Sequence, residues 1–600
     1  MFFNSISLLI LFITYAVAQF VPPPTDLKTV QGAGGITVRY KEVPTGTCET
    51  NPNVKSYSGY ADVGPNQHIF FWFFEARAVN ATQAPLTVRL DGGPGASSMN
   101  GLFQEIGPCT IDAAGNVVNN PYSWSNNSNM LFIDQPATVG FSYTIATKAT
   151  QSSRTFVITP TDTCTTADPG CGTYSSPDTT LTPNSTQEAA VGFYNAMQGF
   201  MGAFPQYAAN GVHINTASYG GHYGPIFADY IVKQNKVKAA GTVDIPLKTL
   251  MIENGFYDTR VQFAAYYNYT VSPGNTYNLN PYTAAQEQQL YTNIWGAGGC
   301  QDQQAKCNAN PPPADIDNVC AAADTFCVAE VEDFFDINAR RNEDDVRELA
   351  PDPFPPTYYV DYLNKANVLQ AIGATTNFTQ ASVQTFFAFN STGDDSRTGA
   401  IINTAMQTIL QEGVTVTTFA GDADYDSNWI GGQVVANNVN APGWTQAGFV
   451  NLTTTDGVVR GQTRQADGFS FTRVYFAGHE APFYQPEATL QMFERAISGM
   501  DIATGKMPMA LGKNVTTQGT QSSTFMEGPG TIQTTVTPAG STYNTTTHAP
   551  NVAPAQKAKS RFVVSEELVP PPTKVRVTHK KFKKLLVEER RARKEASRKP

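Results

Sequence analysis

Short apolar runs recur along most of the chain, and they constrain its fold more than any other feature. Two longer segments between them, residues 187–204 and 224–237, carry apolar side chains at helical spacing. Strands that alternate with helices are typical of a mostly parallel sheet that is buried on both faces. We therefore predict the α/β class, with helices on both faces of a mainly parallel sheet. The predicted strands are residues 68–74, 86–90, 129–134, 212–216, 247–253, 414–419 and 471–476.

The amino-terminal end differs from the rest of the chain. Residues 6–13 are mostly apolar and precede the small-residue pattern Ala16-Val17-Ala18, which predicts a signal peptide over residues 1–18. No other run approaches the roughly 20 apolar residues that a membrane-spanning helix needs, so we expect no integral membrane segment. A signal peptide predicts a secreted protein, and location in a vacuole is the alternative.

The carboxyl-terminal end also has its own composition. Residues 526–600 are rich in Thr, Pro, Gly and Ser and end in a basic run, which predicts a disordered tail. This leaves a main domain over residues 19–525, with a cap insertion at about 255–355. The formal net charge is −10, although residues 571–600 carry twelve Lys or Arg against three acidic residues. The body is therefore strongly acidic, which argues against binding to nucleic acid.

Eight cysteines in a chain with a secretion signal predict four disulfides. The last four cysteines suggest a nested arrangement, and two others are separated by only a short loop. Spacing alone allows many other connectivities, and no CxxC pair favours a metal site. The predicted pairs are Cys48 with Cys109, Cys164 with Cys171, Cys300 with Cys327, and Cys307 with Cys320.

Nine Asn-x-Ser/Thr sequons agree with a secreted chain. In such a chain they are candidate attachment sites for N-linked glycans on the surface. The candidate residues are Asn80, Asn126, Asn184, Asn268, Asn377, Asn390, Asn451, Asn514 and Asn544.

The sequence around Ser218 predicts a catalytic serine. A predicted strand enters this position, a predicted helix leaves it, and two glycines follow Tyr219, as in the nucleophile elbow of hydrolases. Among the six histidines, His479 stands after a predicted strand in a loop with glycine and proline, where the general base is expected. Asp424 follows the strand at 414–419 and can orient that imidazole. The order Ser, Asp, His matches the α/β-hydrolase fold.

A glycine-rich loop at residues 91–98 provides the other part that acyl transfer needs. Consecutive glycines let backbone N–H groups point into a cavity without side chains in the way. We predict an oxyanion hole formed by the N–H groups of Gly93 and Tyr219. The loop lacks the Lys-Ser/Thr of a phosphate-binding P-loop, and nothing in the sequence implies a metal or another cofactor.

Five sequence blocks resemble the serine carboxypeptidase family, and in particular its secreted fungal members. The resemblance extends over residues 36–515. It implies an α/β-hydrolase fold with a cap, and an enzyme that removes C-terminal residues from peptides and proteins through an acyl-enzyme, usually at acidic pH. The family's triad and oxyanion donors fall on the five residues named above. The blocks are LDGGPGASSMNGLFQEIGPC, NPYSWSNNSNMLFIDQPATVGFSY, SYGGHYGP, GDADYDSNW and AGHEAPFYQPEATL.

The family binds the free carboxylate of its substrate with five residues, and three of them differ here. Gly92 and Glu105 match the family pattern. Arg89 replaces a tryptophan, Asp91 an asparagine, and Ala217 the glutamate that precedes the nucleophile. The last change removes a partner that could share a proton with Glu105.

Arg89 and Asp91 lie on the same face of a predicted strand. Arg89 could therefore pair with Asp91, bind the substrate carboxylate, or point to solvent. Because carboxylate recognition is altered, an esterase or acyltransferase on the same scaffold is the alternative function. A catalytically weak homologue that binds peptides is a second alternative, against which the complete triad argues.

Overall fold

The computed structural model describes residues 20–164, 168, 170–208, 210–509 and 515–551. The predicted signal peptide, the sequon at Asn514 and the basic end of the chain lie outside the described residues. The strands are β1 Lys28–Gln31, β2 Thr37–Glu42, β3 Ser56–Gly64, β4 Gln67–Phe74, β5 Leu86–Leu90, β6 Cys109–Ile111, β7 Val117–Asn119, β8 Asn129–Ile133, β9 Ala146–Gln151, β10 Ile158–Pro160, β11 Cys171–Ser175, β12 Val212–Ala217, β13 Leu247–Glu253, β14 Thr415–Gly421, β15 Val450–Thr453, β16 Val459–Ala466, β17 Phe469–Val474, β18 Thr542–Asn544 and β19 Ala549–Asn551.

In the described part of the chain, fifteen α-helices lie between the strands. The α-helices are α1 Met99–Gly101, α2 Thr186–Ala203, α3 Gly220–Val237, α4 Thr259–Thr270, α5 Ala284–Trp295, α6 Cys300–Cys307, α7 Ile316–Cys327, α8 Phe334–Ala339, α9 Tyr358–Leu363, α10 Ala366–Ile372, α11 Val383–Thr392, α12 Asp394–Gln411, α13 Trp429–Val439, α14 Ala481–Tyr484 and α15 Pro486–Ile497.

Twelve of the described strands form one sheet, in the order β1-β2-β3-β4-β8-β5-β12-β13-β14-β17-β16-β15. The six neighbours from β8 to β17 run parallel. The strands on both sides run antiparallel. The prediction of a mainly parallel sheet therefore holds for the centre, and the sheet as a whole is mixed. The flanking strands follow one another through short turns, as between β3 and β4, and such turns require antiparallel pairing.

Both faces of the sheet are buried under helices, as predicted. In β4, Phe71 and Phe73 belong to a core that includes residues of α2, α3 and α12. Phe70 and Trp72 belong to a second core that includes Met492 of α15. Successive residues of a strand point to opposite faces, so the continuous apolar run of β4 fills two cores at once.

The loops that follow four parallel strands meet at one edge of the sheet. The loops after β5, β12, β14 and β17 carry Gly92, Ser218, Asp424 and His479, respectively. In parallel sheets, ligands bind at the carboxyl ends of the strands. The fold therefore brings four distant parts of the chain to one place.

The four disulfides have the predicted pairing: Cys48–Cys109, Cys164–Cys171, Cys300–Cys327 and Cys307–Cys320. The last two lie within residues 255–355, the predicted cap, which form α4 to α8. The chain between β13 and β14 also contains α9 to α12, and α12 packs on α3. The connection between these two strands is therefore longer than the predicted cap.

Residues 526–551, which we call the strap, pack against the main domain. The prediction that disorder begins at residue 526 is therefore wrong for this part of the chain. The backbone N–H of Gln533 donates to the carbonyl of Arg347 at 2.9 Å. The hydroxyl of Thr537, a buried residue, donates to Glu348 at 3.0 Å.

Two aromatic side chains of the strap reach the region of the predicted catalytic histidine. Tyr543 packs edge-on against Tyr484, with ring centroids 5.1 Å apart. His548 stacks on Phe476 at 4.3 Å. Composition did not reveal this packing because a few anchoring residues provide it, while the intervening residues have the Thr- and Pro-rich pattern of disorder.

Two further expectations concern membrane-spanning helices and the attachment sites for glycans. Among the described helices, none combines the length and the apolar character needed to cross a membrane. Of the sequon residues, Asn80, Asn184 and Asn451 are exposed. The amide groups of Asn377 and Asn390 instead donate hydrogen bonds within the protein, at 3.1 and 2.7 Å.

Candidate active site

Ser218 lies in a tight turn between β12 and α3. Its φ of +59° belongs to the left-handed region, which a non-glycine residue adopts only where its surroundings hold it. The residue is half-buried, whereas its neighbours on both sides are buried. The turn therefore presents the serine side chain to the cavity at the edge of the sheet.

Thr216 occupies the position where the nucleophile elbow usually has glycine, and the structure shows how it is accommodated. Its hydroxyl donates to the carbonyl of Gly220 at 2.8 Å. A Cβ atom at Gly220 would lie 2.5 Å from the Cβ of Thr216, and one at Gly224 would lie 2.8 Å from its hydroxyl oxygen. Glycines on the outgoing helix thus provide the space that the missing glycine would have given.

Asp424 and His479 form the predicted pair. Nδ1 of His479 donates to Oδ2 of Asp424 at 3.0 Å. The same oxygen accepts a hydrogen bond from the side-chain amide of Asn254 at 2.8 Å. The backbone N–H of His479 donates to the carbonyl of Asp344 at 2.7 Å. The imidazole is therefore held from both its ring and its backbone, with Nε2 left for proton transfer.

The surroundings of His479 are strongly acidic. Burial opposes a charged imidazole, but the carboxylates of Asp424, Asp344 and Asp426 outweigh it and raise the pKa of His479 above its usual value. Burial also raises the pKa of Asp424, against the effect of His479. The site therefore favours the imidazolium form, which a Ser–His–Asp mechanism generates when the serine attacks.

The glycine-rich loop lies directly against the elbow. A Cβ atom at Gly92 would lie 2.3 Å from the backbone nitrogen of Tyr219 and 2.9 Å from the Cβ of Ser218. Gly93 has a φ of +108°, a conformation that favours glycine. The two predicted oxyanion residues, Gly93 and Tyr219, are therefore on facing segments next to the serine.

A buried carboxylate holds this loop in place. Asp134 accepts hydrogen bonds from the hydroxyl of Ser97 at 2.6 Å and from the N–H groups of Ser98 and Phe141 at 2.9 Å. Burial raises the pKa of Asp134 to about 7, although these donors lower it. The loop is thus anchored to the end of β8.

Arg89 is fully buried, and its guanidinium group is surrounded by acceptors. Nε donates to Asp91 at 2.6 Å, and Nη2 donates to Glu105 at 2.8 Å. Nη1 donates to Asn215 at 2.7 Å and to Glu253 at 2.8 Å. Arg89 therefore pairs with Asp91 and does not point to solvent.

Burial has the largest effect on the pKa values of Asp91 and Glu105 in this cluster. It raises the pKa of Asp91, against the charge of Arg89. It also raises the pKa of Glu105 well above its usual value, again against Arg89, and the neighbouring Glu253 carboxyl raises it further. Glu105 therefore keeps a proton to a higher pH than an ordinary glutamate.

Many of these groups line one cavity at this edge of the sheet. The predicted residues that it brings together are Arg89, Asp91, Gly92, Gly93, Glu105, Ser218 and His479. Asp424 lies behind His479, and Tyr219 lies beside the elbow, fully buried. No group of His, Cys, Asp or Glu in the described part of the chain has a geometry suited to holding a metal ion.

Sequence reasoning missed several residues of the site, and three of them contact or lie close to the predicted groups. Glu253 and Asp344 line the cavity, and Asn254 holds Asp424. Glu253 and Asn254 stand at the carboxyl end of a predicted parallel strand, where ligand sites form, and that position was an available signal. Asp344 lies in a loop within the predicted cap, and nothing in its local sequence marks it.

The fold and the arrangement of Ser218, His479 and Asp424 define a serine hydrolase of the α/β-hydrolase fold. The model of the serine carboxypeptidase family matches residues 44–499. Carboxypeptidase S1 homolog A of Arthroderma otae is 37% identical over 553 residues, which cover 85% of this chain and 84% of that protein. Carboxypeptidase S1 of Penicillium janthinellum is 36% identical over 466 residues, which cover 77% of this chain and 99% of that protein. The chain belongs to the serine carboxypeptidase family.

A solved structure agrees with this assignment at the level of the fold. The prohormone-processing carboxypeptidase Kex1Δp of Saccharomyces cerevisiae superimposes with a TM-score of 0.57 at 18% identity. The match covers 76% of this chain and 95% of that chain. The protein is thus a serine carboxypeptidase with peptide substrates.

Proposed function

We propose that Ser218, His479 and Asp424 carry out the hydrolysis of the C-terminal peptide bond. The observation that supports this most is the 3.0 Å bond between His479 and Asp424 in the cavity that Ser218 enters from a strained elbow. His479 accepts the proton of Ser218 as the hydroxyl attacks the carbonyl carbon. The N–H groups of Gly93 and Tyr219 stabilise the resulting oxyanion.

The second half of the reaction uses the same groups. The imidazolium of His479 donates its proton to the leaving amine, which is the free C-terminal amino acid, and an acyl-enzyme remains on Ser218. Water then enters, His479 takes a proton from it, and the shortened peptide leaves. The acidic surroundings of His479 stabilise the charged imidazole that both steps pass through.

The preference for a free C-terminus rests on Gly92 and Glu105. The Gly92 backbone stands beside the elbow, and Glu105 lines the same cavity. A protonated Glu105 can donate a hydrogen bond to a carboxylate, whereas an ionised Glu105 would repel it. Because its pKa is raised well above the usual value, substrate binding is strongest at acidic pH and weakens as the pH rises.

The experiment compares a blocked dipeptide with its C-terminal amide between pH 4 and 8. The free acid should be cleaved much faster at low pH, and Ser218→Ala should release no amino acid from either compound. Equal or faster cleavage of the amide, or of a simple ester, would favour the esterase or acyltransferase instead. Hydrolysis that survives in Ser218→Ala would show that another residue is the nucleophile.

The charge of the cavity favours substrates with a basic side chain next to the scissile bond. Asp344, Asp426 and Glu480 line the cavity on the side of His479. Arg89 is the one Lys or Arg among the described lining residues, and its hydrogen bonds go to acceptors of the protein. A wall of one sign raises the local concentration of the opposite charge and repels like charge.

Lysine and norleucine substrates test this preference, because norleucine has the lysine stem without the ammonium group. Lysine should give the higher kcat/KM in at least one of the two positions that flank the bond, and Glu480→Gln should reduce that advantage. If kcat/KM falls by the same factor for both substrates in Glu480→Gln, the carboxylates act on His479 and do not select the substrate side chain. Glu412→Gln, an acidic residue on the amino-terminal side of β14, is the matched control.

Secretion and glycosylation complete the proposal. The amino-terminal sequence, the four disulfides and the sequons all suit an oxidising compartment. Among the sequon residues that the structure describes, Asn80, Asn184 and Asn451 are exposed and are the candidates for N-linked glycans. Deglycosylation followed by mass spectrometry of the protein recovered from the medium tests both the location and these three positions.

A further inference from the structure

Glu253 and Ala217 are direct neighbours across two parallel strands. They are paired in register at the carboxyl ends of β12 and β13. Ala217 immediately precedes Ser218, and it stands where the family places a glutamate. Glu253 is fully buried and lines the cavity that contains Ser218 and Glu105. A carboxyl group is therefore present beside the elbow, although it comes from the adjacent strand.

Arg89 joins the two glutamates of the cavity. Nη2 of Arg89 donates to Oε1 of Glu105, and Nη1 donates to Oε2 of Glu253, both at 2.8 Å. The planar guanidinium group fixes the geometry of both carboxyls, as a forked donor does in bidentate pairs. The arginine that replaces the family's tryptophan thus positions both Glu105, which matches the family pattern, and Glu253 on the adjacent strand.

Each glutamate keeps one oxygen to which no donor of the described residues is directed. These atoms are Oε2 of Glu105 and Oε1 of Glu253, and both are buried. Asp91 differs, because Arg89 donates to one of its oxygens and the N–H of Gly101 donates to the other at 2.9 Å. Asp91 is therefore satisfied within the protein, and the remaining acceptor capacity belongs to the two glutamates.

The net charge of this buried cluster favours the uptake of a proton. One guanidinium group faces three carboxyl groups, all of them buried, and ionising all three would leave two uncompensated charges away from water. A proton held between Glu105 and Glu253 removes one of these charges and turns the pair into a hydrogen-bond donor. Such a donor is what a substrate carboxylate needs on entering an acidic cavity.

We propose that Glu253 replaces the family's glutamate before the nucleophile, and that Glu253 and Glu105 together bind the free carboxylate of the substrate. Arg89 is the positioning residue of this pair. The proposal rests on the carboxypeptidase function proposed above, and it adds a residue that determines specificity for a free C-terminus. The step involves no covalent change: the shared proton stays on the pair and donates to the substrate carboxylate.

A purely structural role for Glu253 is the alternative, in which it only neutralises Arg89. The two roles differ in what they predict for substrates with and without a carboxylate. A structural role would affect the peptide acid and its amide equally. A recognition role would affect the acid alone and would change how its KM depends on pH.

Glu253→Gln is the test variant, with KM measured between pH 4 and 8 for a peptide acid and its amide. Without the Glu253 charge, Arg89 lowers the pKa of Glu105, so Glu105 ionises at a lower pH than in the parent. The KM of the acid should begin to rise at least about one pH unit earlier and increase about tenfold at pH 6. The KM of the amide should stay within about twofold.

Glu49→Gln is the matched control, because it removes a buried glutamate that pairs with an arginine outside the cavity. Glu49 accepts two hydrogen bonds from Arg77, at 2.8 and 3.0 Å. The control should leave the pH profile of the acid unchanged. Thermal unfolding of both variants verifies that they fold.

The possible results separate two kinds of failure. Equal changes for acid and amide in Glu253→Gln, or no change in either, would overturn the role of Glu253 and leave the carboxypeptidase intact. If Glu253→Gln does not fold, Arg89→Lys provides the second measurement. Lysine keeps the charge and loses the fork, so the KM of the acid alone should rise, and an equal effect on the amide would overturn the proposal. Absence of acid hydrolysis in the parent protein would instead contradict the proposed function itself.

Discussion

The hydroxyl of Tyr219 donates a hydrogen bond of 2.7 Å to Oδ2 of Asp394, at the start of α12. The same carboxylate accepts hydrogen bonds from Thr186 at the start of α2 and from Thr398. Tyr219 is therefore fixed at its far end by two helices, while its backbone N–H faces the glycine-rich loop. The position of the Tyr219 backbone N–H, the proposed oxyanion donor, thus depends on the hydrogen bond that the hydroxyl of the same residue makes with Asp394.

Tyr219→Phe should weaken both stability and catalysis. The change removes one donor from a buried carboxylate, which typically costs about 1–3 kcal/mol of unfolding free energy. The freed ring can shift the elbow, so we expect a severalfold decrease in kcat with little change in KM. Urea unfolding and steady-state kinetics measure the two effects. An unchanged kcat would show that the backbone alone holds the donor.

Gly92→Ala should reduce kcat by about 10²–10³-fold, the loss typical of removing one oxyanion donor. The new methyl group would lie 2.3 Å from the nitrogen of Tyr219, so the loop or the elbow must move. Gly192→Ala is a suitable control, because a Cβ atom there meets nothing within 4 Å. Equal activity of the two variants would contradict the close approach of loop and elbow.

Asp424→Asn should lower kcat by about 10⁴-fold while KM stays nearly constant. An amide at this position donates to Nδ1 of His479 and thereby favours the wrong tautomer. The loss should be largest for the acylation step, which a single-turnover experiment isolates. A change confined to KM would mean that Asp424 serves binding rather than the orientation of the base.

Asp344→Asn should shift the pH dependence of kcat to lower pH. His479 must be neutral to accept the serine proton, so activity is lost as the pH falls through its pKa. The carboxylates of Asp424, Asp344 and Asp426 raise that pKa against the effect of burial, and removing one of these charges lowers it. The acidic limb of kcat should therefore move down, whereas Glu412→Gln leaves it in place. A shift to higher pH would contradict this electrostatic account.

Much of the fold was predictable because its strands are short apolar runs with clear ends. The strands at 86–90 and 247–253 were predicted to the residue. The central sheet is parallel because these strands alternate with helices, but the antiparallel flanks depend on turns whose length the apolar pattern does not show. The predicted disulfide pairing was one of many that the spacing allows, and the structure has the same four pairs.

The predicted triad and the glycine loop come together in the structure, since each part has a local sequence pattern. The carboxylate site has no such pattern. Which residue faces Ala217 depends on the order of β12 and β13 in the sheet, and the burial of Arg89 depends on acceptors that lie 2, 16, 126 and 164 residues away in the sequence. Contacts of this kind are properties of the folded chain and cannot be derived from one segment.

The strap extends the packed part of this enzyme beyond the predicted main domain. Thr537 of the strap contacts Glu348, which is close in sequence to Asp344. His548 contacts Phe476, which is close in sequence to His479. A recombinant fragment that ends before residue 526, or a molecule cut by a protease at that point, would retain the triad and the four disulfides. It would nonetheless have lost the outer support of its general base. Preparations judged intact by folding and by antibody binding can therefore differ in specific activity, and the carboxyl terminus of each preparation should be verified before rates are compared.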